Sequence, residues 1–465
     1  MIDTAHQGPP VRLSAWLLTE PTNPKHERNL SSMLIKDCSW VVTQNPKREV
    51  LRDASVMIKD GRITQVGKGL KERPEVVIDG ARKIVLPGLI NTHTHLSMVL
   101  LRGYADDMRL QDWLQKKIWP LEARLTPDAC YRGALLGCAE MIMSGTTTFM
   151  DMYFHMEDVA RAVQETGMRA FLSYGIIDLF DAAKAKAEHE KSQKLFRHIQ
   201  DLATPRIRFA VGPHSPYTCS PETLLWAKEF SEKNGVLNHI HVAETRKEQA
   251  DSQKQHGARA VEYLDKIGAL SNHMLAAHCV WLTKSEVTTL AKAGVSVAHC
   301  PVSNMKLASG GVAPLPEMFE AGVAVSLGTD GAASNNSLDM FETMKVCALL
   351  HKSHRWDPTV LNAQKTLDLA TIEGAKALRI QDEVGSLEVG KRADIIMLDA
   401  QLPNLNPVHG GESVVSDLVY SASPANVDTT IVDGRVLMEN RHIRTINLEQ
   451  VTQDASETAL RLVHG

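Results

Sequence analysis

Eight short apolar segments, each followed by a helix-like stretch, dominate the middle of the chain and limit the folds open to it. Between Ile84 and Asp330 they read IVLPGLINTHTH, TTTFMD, RAFLSYG, IRFAVGPH, LNHIHVAE, MLAAHCV, VSVAHCP and AVSLGTD. Apolar runs of this length that alternate with helices are typical of parallel sheets with helical crossovers. Eight regular repeats favour a closed (β/α)₈ TIM-like barrel over an open, doubly wound sheet.

The two ends of the chain show a different pattern, with short strands joined by tight turns. Lys59–Ile63 reads KDGRI and Val432–Val436 reads VDGRV, two near copies in similar surroundings. We therefore predict a small β-sandwich built from both termini, with the barrel inserted between its halves; two unrelated hairpins are the alternative. The predicted boundaries are 1–31 for a loose extension, 32–85 and 378–440 for the two parts of the sandwich, 86–377 for the barrel and 441–465 for a C-terminal helix.

Composition excludes several classes of partner. The chain has 51 Lys and Arg against 55 Asp and Glu, so no basic surplus favours nucleic acid or an anionic membrane. We find neither a signal-peptide pattern nor an apolar run approaching the ~20 residues of a membrane span. Seven scattered Cys without a CxxC pair indicate reduced thiols. We expect a cytoplasmic protein with a small-molecule substrate, and a homo-oligomer stays open.

Polar side chains collect where the predicted barrel strands end, and in a barrel these ends meet at the face that carries active sites. His93 and His95 are two residues apart on a strand, so both side chains point to one face. Imidazole and carboxylate ligands suit Zn²⁺ or Fe²⁺. We predict one divalent metal ion with four ligands: His93, His95, His241 and Asp330.

The segments PGLINTHTH, HVAE, AHC and SLGTDG, flanked by a split β-domain, resemble the amidohydrolase superfamily from about Ser32 to the end of the chain. Members fold as (β/α)₈ barrels with a composite β-sandwich. Binuclear members carry a metal-bridging lysine at the end of the fourth strand, which here reads RFAVGPH without a lysine. The resemblance therefore implies a single ion per chain, Zn²⁺ in the first place, with Fe²⁺ or Mn²⁺ as alternatives.

Within that superfamily, IWPLEARLT, VGPHSPYTCS, HVAET, AHCV and PVSNMKLASG resemble deaminases of 5′-methylthioadenosine and S-adenosylhomocysteine. This likeness implies hydrolysis of an adenine nucleoside to the inosine analogue and ammonia. It implies substrate contacts from Glu122, His214, Glu244 and Asp330, and catalytic roles for Glu244, His278 and Asp330. Glu122 would hold ribose hydroxyls, although its spacing alone favours a solvated helix charge.

Two alternative activities stay open. One is a mononuclear amidohydrolase that cleaves a ring C–N or C–Cl bond, a guanine deaminase or s-triazine hydrolase; the other is a 5′-deoxyadenosine or adenosine deaminase. The stretch GIIDLFDAAKAKAE after the third strand lacks the Arg that some members use for an amino-acid carboxylate, which disfavours S-adenosylhomocysteine. The spacing of His241 and Glu244 also requires a bend at the strand end if both side chains are to point inward.

Overall fold

The computed structural model describes residues 32–465, so the predicted extension of residues 1–31 lies outside the described range. The strands are β1 (Ser32–Val42), β2 (Val50–Lys59), β3 (Arg62–Gly67), β4 (Val76–Asp79), β5 (Lys83–Pro87), β6 (Leu89–Thr94), β7 (Thr146–Tyr153), β8 (Arg169–Ile176), β9 (Ile207–Pro213), β10 (Leu237–Val242), β11 (Met274–His278), β12 (Ser296–His299), β13 (Ala324–Leu327), β14 (Ile395–Asp399), β15 (Val427–Val432), β16 (Arg435–Glu439) and β17 (His442–Ile443).

The helices that follow these strands are mostly short. They are α1 (Leu110–Trp113), α2 (Trp119–Glu122), α3 (Pro127–Met143), α4 (Met156–Thr166), α5 (Ala182–Asp201), α6 (Pro221–Asn234), α7 (Arg246–His256), α8 (Ala260–Lys266), α9 (Lys284–Ala293), α10 (Pro301–Lys306), α11 (Leu315–Ala321), α12 (Ala332–Asn335), α13 (Met340–Arg355), α14 (Ala363–Leu369), α15 (Ile372–Ala377), α16 (Gly411–Tyr420) and α17 (Leu448–His464). Over residues 32–465, no helix has the length and apolar character needed to cross a membrane.

Strands β6–β13 form an eight-stranded parallel sheet in chain order, which confirms the predicted barrel. The first and last strands meet where the Asp330 amide donates a hydrogen bond to the His93 carbonyl at 3.0 Å. The first predicted segment divides at Gly88 into β5, in the other sheet, and β6, in the barrel. A Cβ at Gly88 would lie 2.1 Å from the Thr147 side chain, so the chain can pass from one sheet to the other only with glycine there.

The other nine strands form one mixed sheet that draws on both ends of the described chain, as predicted. Its order is β17-β16-β15-β14-β5-β1-β2-β3, with β4 beside β1. The two similar turns noted in the sequence touch each other, since a Cβ at Gly434 would lie 2.6 Å from the Cα of Gly61. The sheet therefore bends back on itself, and Ile35, Val56 and Ile395 pack together in its core.

A buried ion pair joins the barrel to this second sheet. The Arg169 guanidinium, at the start of β8, is fully buried and donates to both carboxylate oxygens of Asp394, at 2.9 and 3.0 Å. Such a bidentate pair fixes the relative position of two elements, although its net contribution to stability is small after desolvation. It lies away from the carboxyl ends of the barrel strands and leaves that face to the site described next.

Candidate active site

A cavity of about 660 Å³ opens at the carboxyl ends of the barrel strands, within the usual range for ligand sites. Seven predicted site residues line it: His95, Glu122, His214, His241, Glu244, His278 and Asp330. The eighth, His93, is fully buried beneath the cavity, with its Nε2 atom 3.4 Å from Asp330 Oδ1. The structure thus brings the whole predicted set together.

The four predicted metal ligands point their free atoms at one another. His95 Nε2 lies 3.2 Å from Asp330 Oδ1 and 3.3 Å from His241 Nε2. His93 Nε2 is buried and, over residues 32–465, has no hydrogen-bond partner. A buried nitrogen without a partner is costly. A divalent ion with these four ligands would remove that cost, so the donor set fits a divalent metal.

Hydrogen bonds on the far side of each ring fix the tautomers that a metal requires. The Nδ1–H groups of His95 and His241 donate to the carbonyls of Met152, at 2.6 Å, and His214, at 2.7 Å. Each bond places the ring proton on Nδ1 and leaves a lone pair on Nε2.

A chain of hydrogen bonds through Ser173 and His239 fixes the tautomer of His93 in the same way. The Ser173 hydroxyl donates to the Asp151 carbonyl at 2.7 Å, so its oxygen is free to accept from His239 Nδ1, 3.4 Å away. His239 Nε2 then accepts from His93 Nδ1 at 2.8 Å. His93 is left with its lone pair on Nε2, directed at the cluster.

Asp330 is held with one oxygen towards the histidines and the other on two hydroxyls. Ser303 Oγ and Ser334 Oγ donate to Asp330 Oδ2 at 2.6 and 2.9 Å. Burial acts to raise the pKa of this carboxyl, but His93 and His95 outweigh it and hold that pKa well below its usual range. Asp330 is therefore ionised, as a carboxylate ligand of a cation must be.

The bend that the sequence required after His241 is present. Ala243 has φ +56°, a left-handed conformation that ends β10 and directs Glu244 into the cavity. The carboxylate of Glu248 accepts hydrogen bonds from the backbone N–H groups of Ala243 and Glu244, both at 2.8 Å. Burial raises the pKa of Glu248 to about 7 and also raises the pKa of Glu244.

His278 faces Glu244 across the cavity, with 4.0 Å between His278 Nε2 and Glu244 Oε2. The Asn304 side-chain amide donates to His278 Nδ1 at 3.1 Å. Since Nδ1 accepts this bond, the ring proton lies on Nε2, which lines the cavity. His278 can therefore donate a hydrogen bond to an oxygen atom beside the metal ligands.

Glu122, at the end of α2, also lines the cavity. Its Oε1 accepts a hydrogen bond from the Tyr153 hydroxyl at 2.9 Å, and burial raises the pKa of its carboxyl. It is therefore part of the cavity wall rather than a solvated helix charge. The ring of His214 lies 4.8 Å from the ring of His241 and lines the same cavity. Burial, with the rings of His95 and His93, lowers the pKa of His214 to about 3.

The outer part of the cavity is largely aromatic and carries two lysines on α5. Trp113, Trp119 and Phe154 line it. Lys191 Nζ donates to Glu188 Oε1 at 2.9 Å, and Lys194 Nζ lies 3.5 Å from Glu157 Oε1. Each lysine has a carboxylate partner, and because both lysine side chains are mostly exposed these ion pairs are weak.

Sequence reasoning missed the residues that hold the predicted ones in place, namely His239, Glu248, Ser303, Asn304 and Ser334. Only His239 had a local signal, since His239 and His241 are two apart on one strand, as are His93 and His95. Ser303 and Asn304 contact residues that are distant in sequence, while Glu248 and Ser334 lie in the first turn of a helix.

The barrel, the composite sheet and the cluster of four predicted metal ligands are the features of a metal-dependent hydrolase of the amidohydrolase type. The family profile described as "Amidohydrolase family" matches residues 84–437, and the chain belongs to this family. This confirms the resemblance found in the sequence motifs.

Two curated relatives have names that are more specific than the family name. A protein of Methanosarcina acetivorans named 5′-deoxyadenosine deaminase is 46% identical over 434 residues, which cover 93% of this chain and 99% of the relative. A 5-methylthioadenosine/S-adenosylhomocysteine deaminase of Thermococcus sibiricus is 49% identical over 385 residues, or 83% of this chain and 89% of the relative.

A crystal structure of an adenosine deaminase from Xanthomonas campestris, with bound zinc, matches with a TM-score of 0.88 and 34% identity. The match covers 92% of this chain and 98% of that chain.

Proposed function

We propose that the protein hydrolytically deaminates adenine nucleosides with a modified 5′ position, releasing ammonia and the inosine analogue. The observation that carries the proposal is the placement of Glu244 and His278 beside the four predicted metal ligands, with Glu122 lining the same cavity. An acid and a hydrogen-bond donor next to a metal suit attack on a ring carbon, and a second carboxylate in the cavity suits a sugar. The names of the curated relatives support the same class of substrate.

The metal is proposed to be one Zn²⁺ per chain, held by His93, His95, His241 and Asp330, with Fe²⁺ or Mn²⁺ as alternatives. A divalent ion bound there lowers the pKa of water towards 7 and so supplies a nucleophile at neutral pH. Zinc is present in the solved adenosine deaminase relative. Strand β9 ends in Pro213 without a lysine, which supports one ion rather than two.

Deamination adds water at C6 of adenine and expels the amine as ammonia, so protons leave the water and reach the ring nitrogen and the amine. Asp330, whose carboxylate lies beside His93 and His95, accepts one proton from water. Glu244 donates a proton to the ring nitrogen next to C6, because its raised pKa keeps the carboxyl protonated to higher pH than an ordinary Glu. The proton on Asp330 then goes to the departing amine, and the remaining proton on the added oxygen returns to Glu244 as the C6 carbonyl forms.

His278 stabilises the oxygen that adds to the ring. Its Nε2–H, fixed by the Asn304 bond to Nδ1, is a neutral donor directed into the cavity. A preorganised donor of this kind is worth more in the tetrahedral intermediate than in the planar substrate.

Glu122 and His214 position the nucleoside. The Glu122 carboxylate has Oε2 free beside the Tyr153 bond and can accept from the ribose hydroxyls, and His214 contacts the substrate between sugar and base. The 5′ substituent then reaches the aromatic outer cavity. Because Trp113, Trp119 and Phe154 line this part of the cavity, small uncharged substituents are preferred over the charged tail of S-adenosylhomocysteine.

A panel of substrates tests this proposal, with 5′-methylthioadenosine, 5′-deoxyadenosine, adenosine, S-adenosylhomocysteine, guanine and a chlorinated s-triazine, each followed by ammonia or chloride release. We expect the first two to give the highest kcat/KM. Turnover of guanine or the triazine without turnover of any nucleoside would leave the family assignment intact and refute the proposed substrate.

A further inference from the structure

A second cluster of metal-ligating side chains lies outside the cavity, between the barrel and its helices. His299 ends β12, while Cys347 and His351 lie on α13, and one ligand atom from each is within 4.8 Å of the others. Their exposed fractions are 1%, 0% and 0%. We propose that these three residues form a second metal site, for the soft monovalent ion Cu⁺, separate from the active site.

The backbone explains why His299 takes no part in the cavity although it ends a barrel strand. Ala298 packs with Ala210 and Leu275 in one apolar cluster, whereas Val297 belongs to the cluster that includes Met344 of α13. Side chains alternate along a strand, so His299 lies on the Val297 side, towards α13. This orientation places its ring beside that helix.

The spacing on α13 completes the set. Cys347 and His351 are four residues apart and so lie on one face of the helix, one turn from each other. That face packs against the end of β12 and presents a thiol and an imidazole to His299. Three ligands from two rigid elements are thus brought together without a loop.

The distance between the two rings is compatible with a shared ion as well as with a hydrogen bond. His299 Nε2 and His351 Nε2 are 3.3 Å apart, the same separation as His95 Nε2 and His241 Nε2 in the predicted metal cluster. The hydrogen-bonded ring pair, His93 and His239, is closer, at 2.8 Å. Two imidazoles on one ion at about 2.0–2.1 Å place their nitrogens about 3.3–3.6 Å apart, from tetrahedral to three-coordinate geometry.

The Nδ1 atoms of the two rings do not fix which nitrogen of each ring carries the proton. Nδ1 of His299 and Nδ1 of His351 are both buried and have no hydrogen-bond partner over residues 32–465. No carbonyl fixes either tautomer, in contrast to His95 and His241. Both rings are therefore free to offer a lone pair to an ion.

The charge of the three ligands favours Cu⁺ over Zn²⁺ at this site. A thiolate and two imidazoles are soft ligands, and on binding the Cys347 thiol releases its proton to solvent. One thiolate with Cu⁺ is neutral, whereas Zn²⁺ would leave a net positive charge in a buried place. The charged groups that face His351 are His354, Arg355 and Glu317, and Glu317 is already paired with Arg355. Over residues 32–465, the charged groups that act on His299, Cys347 and His351 include no further carboxylate to balance a second positive charge.

The test is the metal content of the full chain, produced with zinc and copper in the medium and purified under anaerobic, reducing conditions. X-ray absorption at the copper edge and the ultraviolet thiolate-to-copper band identify the ligands. The variants are Cys347→Ala, Cys347→Ser and His351→Gln, with Cys138→Ala as matched control, since Cys138 is equally buried and lies in no such cluster of the described chain.

We expect about one copper per chain with sulfur and nitrogen ligands in the wild type and in Cys138→Ala. The three cluster variants should lose at least about ten-fold in bound copper, while zinc at the active site stays unchanged. Copper that persists in Cys347→Ala, no copper in the wild type, or zinc with sulfur ligation at this site would each overturn the proposal. None of these readouts depends on deaminase activity.

Discussion

Glu248 accepts the backbone N–H of Glu244 at 2.8 Å, and through this bond a residue at the start of α7 sets the position of the proposed proton donor. The same carboxylate accepts the N–H of Ala243, whose left-handed φ creates the bend. A strained turn of this kind persists only where its surroundings hold it. Glu248 is therefore a positioning residue for Glu244.

Glu248→Gln tests this role, because glutamine offers one oxygen acceptor to two N–H groups. Loss of one such bond is worth about 1–3 kcal/mol, so we expect kcat to fall at least about ten-fold with little change in KM. Glu286→Gln is the control, since Glu286 closes a similar cap at the start of α9 away from the cavity. Equal kcat losses in both variants would show a general structural effect, and Glu248→Asp should restore part of the activity.

The same variant predicts a pH-dependent stability difference. Burial raises the pKa of Glu248 from 4.5 to about 7, so between these values the folded protein binds more protons than the unfolded chain. Its contribution to stability is thus present at low pH and is lost as pH rises through that window. Relative to Glu248→Gln, the wild type should lose about 3 kcal/mol between pH 4 and 8. Denaturant unfolding at several pH values measures this, and a constant difference would contradict it.

Asn304→Asp should reverse the tautomer of His278. A carboxylate can only accept a hydrogen bond, so the ring proton of neutral His278 moves to Nδ1 and Nε2 no longer donates into the cavity. We expect kcat to fall on the order of 10²-fold, with normal metal content and nearly normal KM. Asn304→Ala, which leaves the tautomer free, should lose less. If the two variants lose activity equally, the Asn304 bond acts only in packing.

Glu244→Gln should retain the metal and lose most of the activity, because an amide cannot donate the proton that the ring nitrogen needs. General acid catalysis is typically worth about 10²–10⁴-fold in rate. Glu157→Gln, which alters a carboxylate in the outer cavity, serves as the control. Near-normal kcat in metal-loaded Glu244→Gln would assign ring protonation to another residue.

Glu122→Ala should lower the turnover of nucleosides much more than the turnover of free adenine. Ribose hydroxyls left without an acceptor in a closed site cost about 1–3 kcal/mol each, so kcat/KM for 5′-methylthioadenosine should fall by about ten- to a few hundred-fold. Turnover of free adenine should change far less, since it has no ribose. Tyr153→Phe leaves the carboxylate in place and should give a smaller loss. Equal effects on nucleoside and free base would remove Glu122 from sugar binding.

The barrel could be predicted from the alternation of apolar and helical segments and from the polar residues at the predicted strand ends, because both are local properties of the sequence. The positions of His93 and Asp330 followed once eight strands were aligned, since their ends must meet at one face. Glu122 could not be placed by spacing, because its burial depends on Tyr153, a residue of β7. Ser303 and Asn304 escaped prediction for the same reason, as each contacts the site from α10 across the barrel rim.

The central claim is that water replaces the amine at C6 of an adenine nucleoside. The most direct measurement is mass spectrometry of the products formed from 5′-methylthioadenosine in ¹⁸O-labelled water, with ammonia assayed in parallel. The account predicts 5′-methylthioinosine with one labelled oxygen on the purine ring and an equal amount of ammonia, both absent in metal-free protein. Free adenine as product, or an intact nucleoside after long incubation with metal-loaded protein, would contradict it.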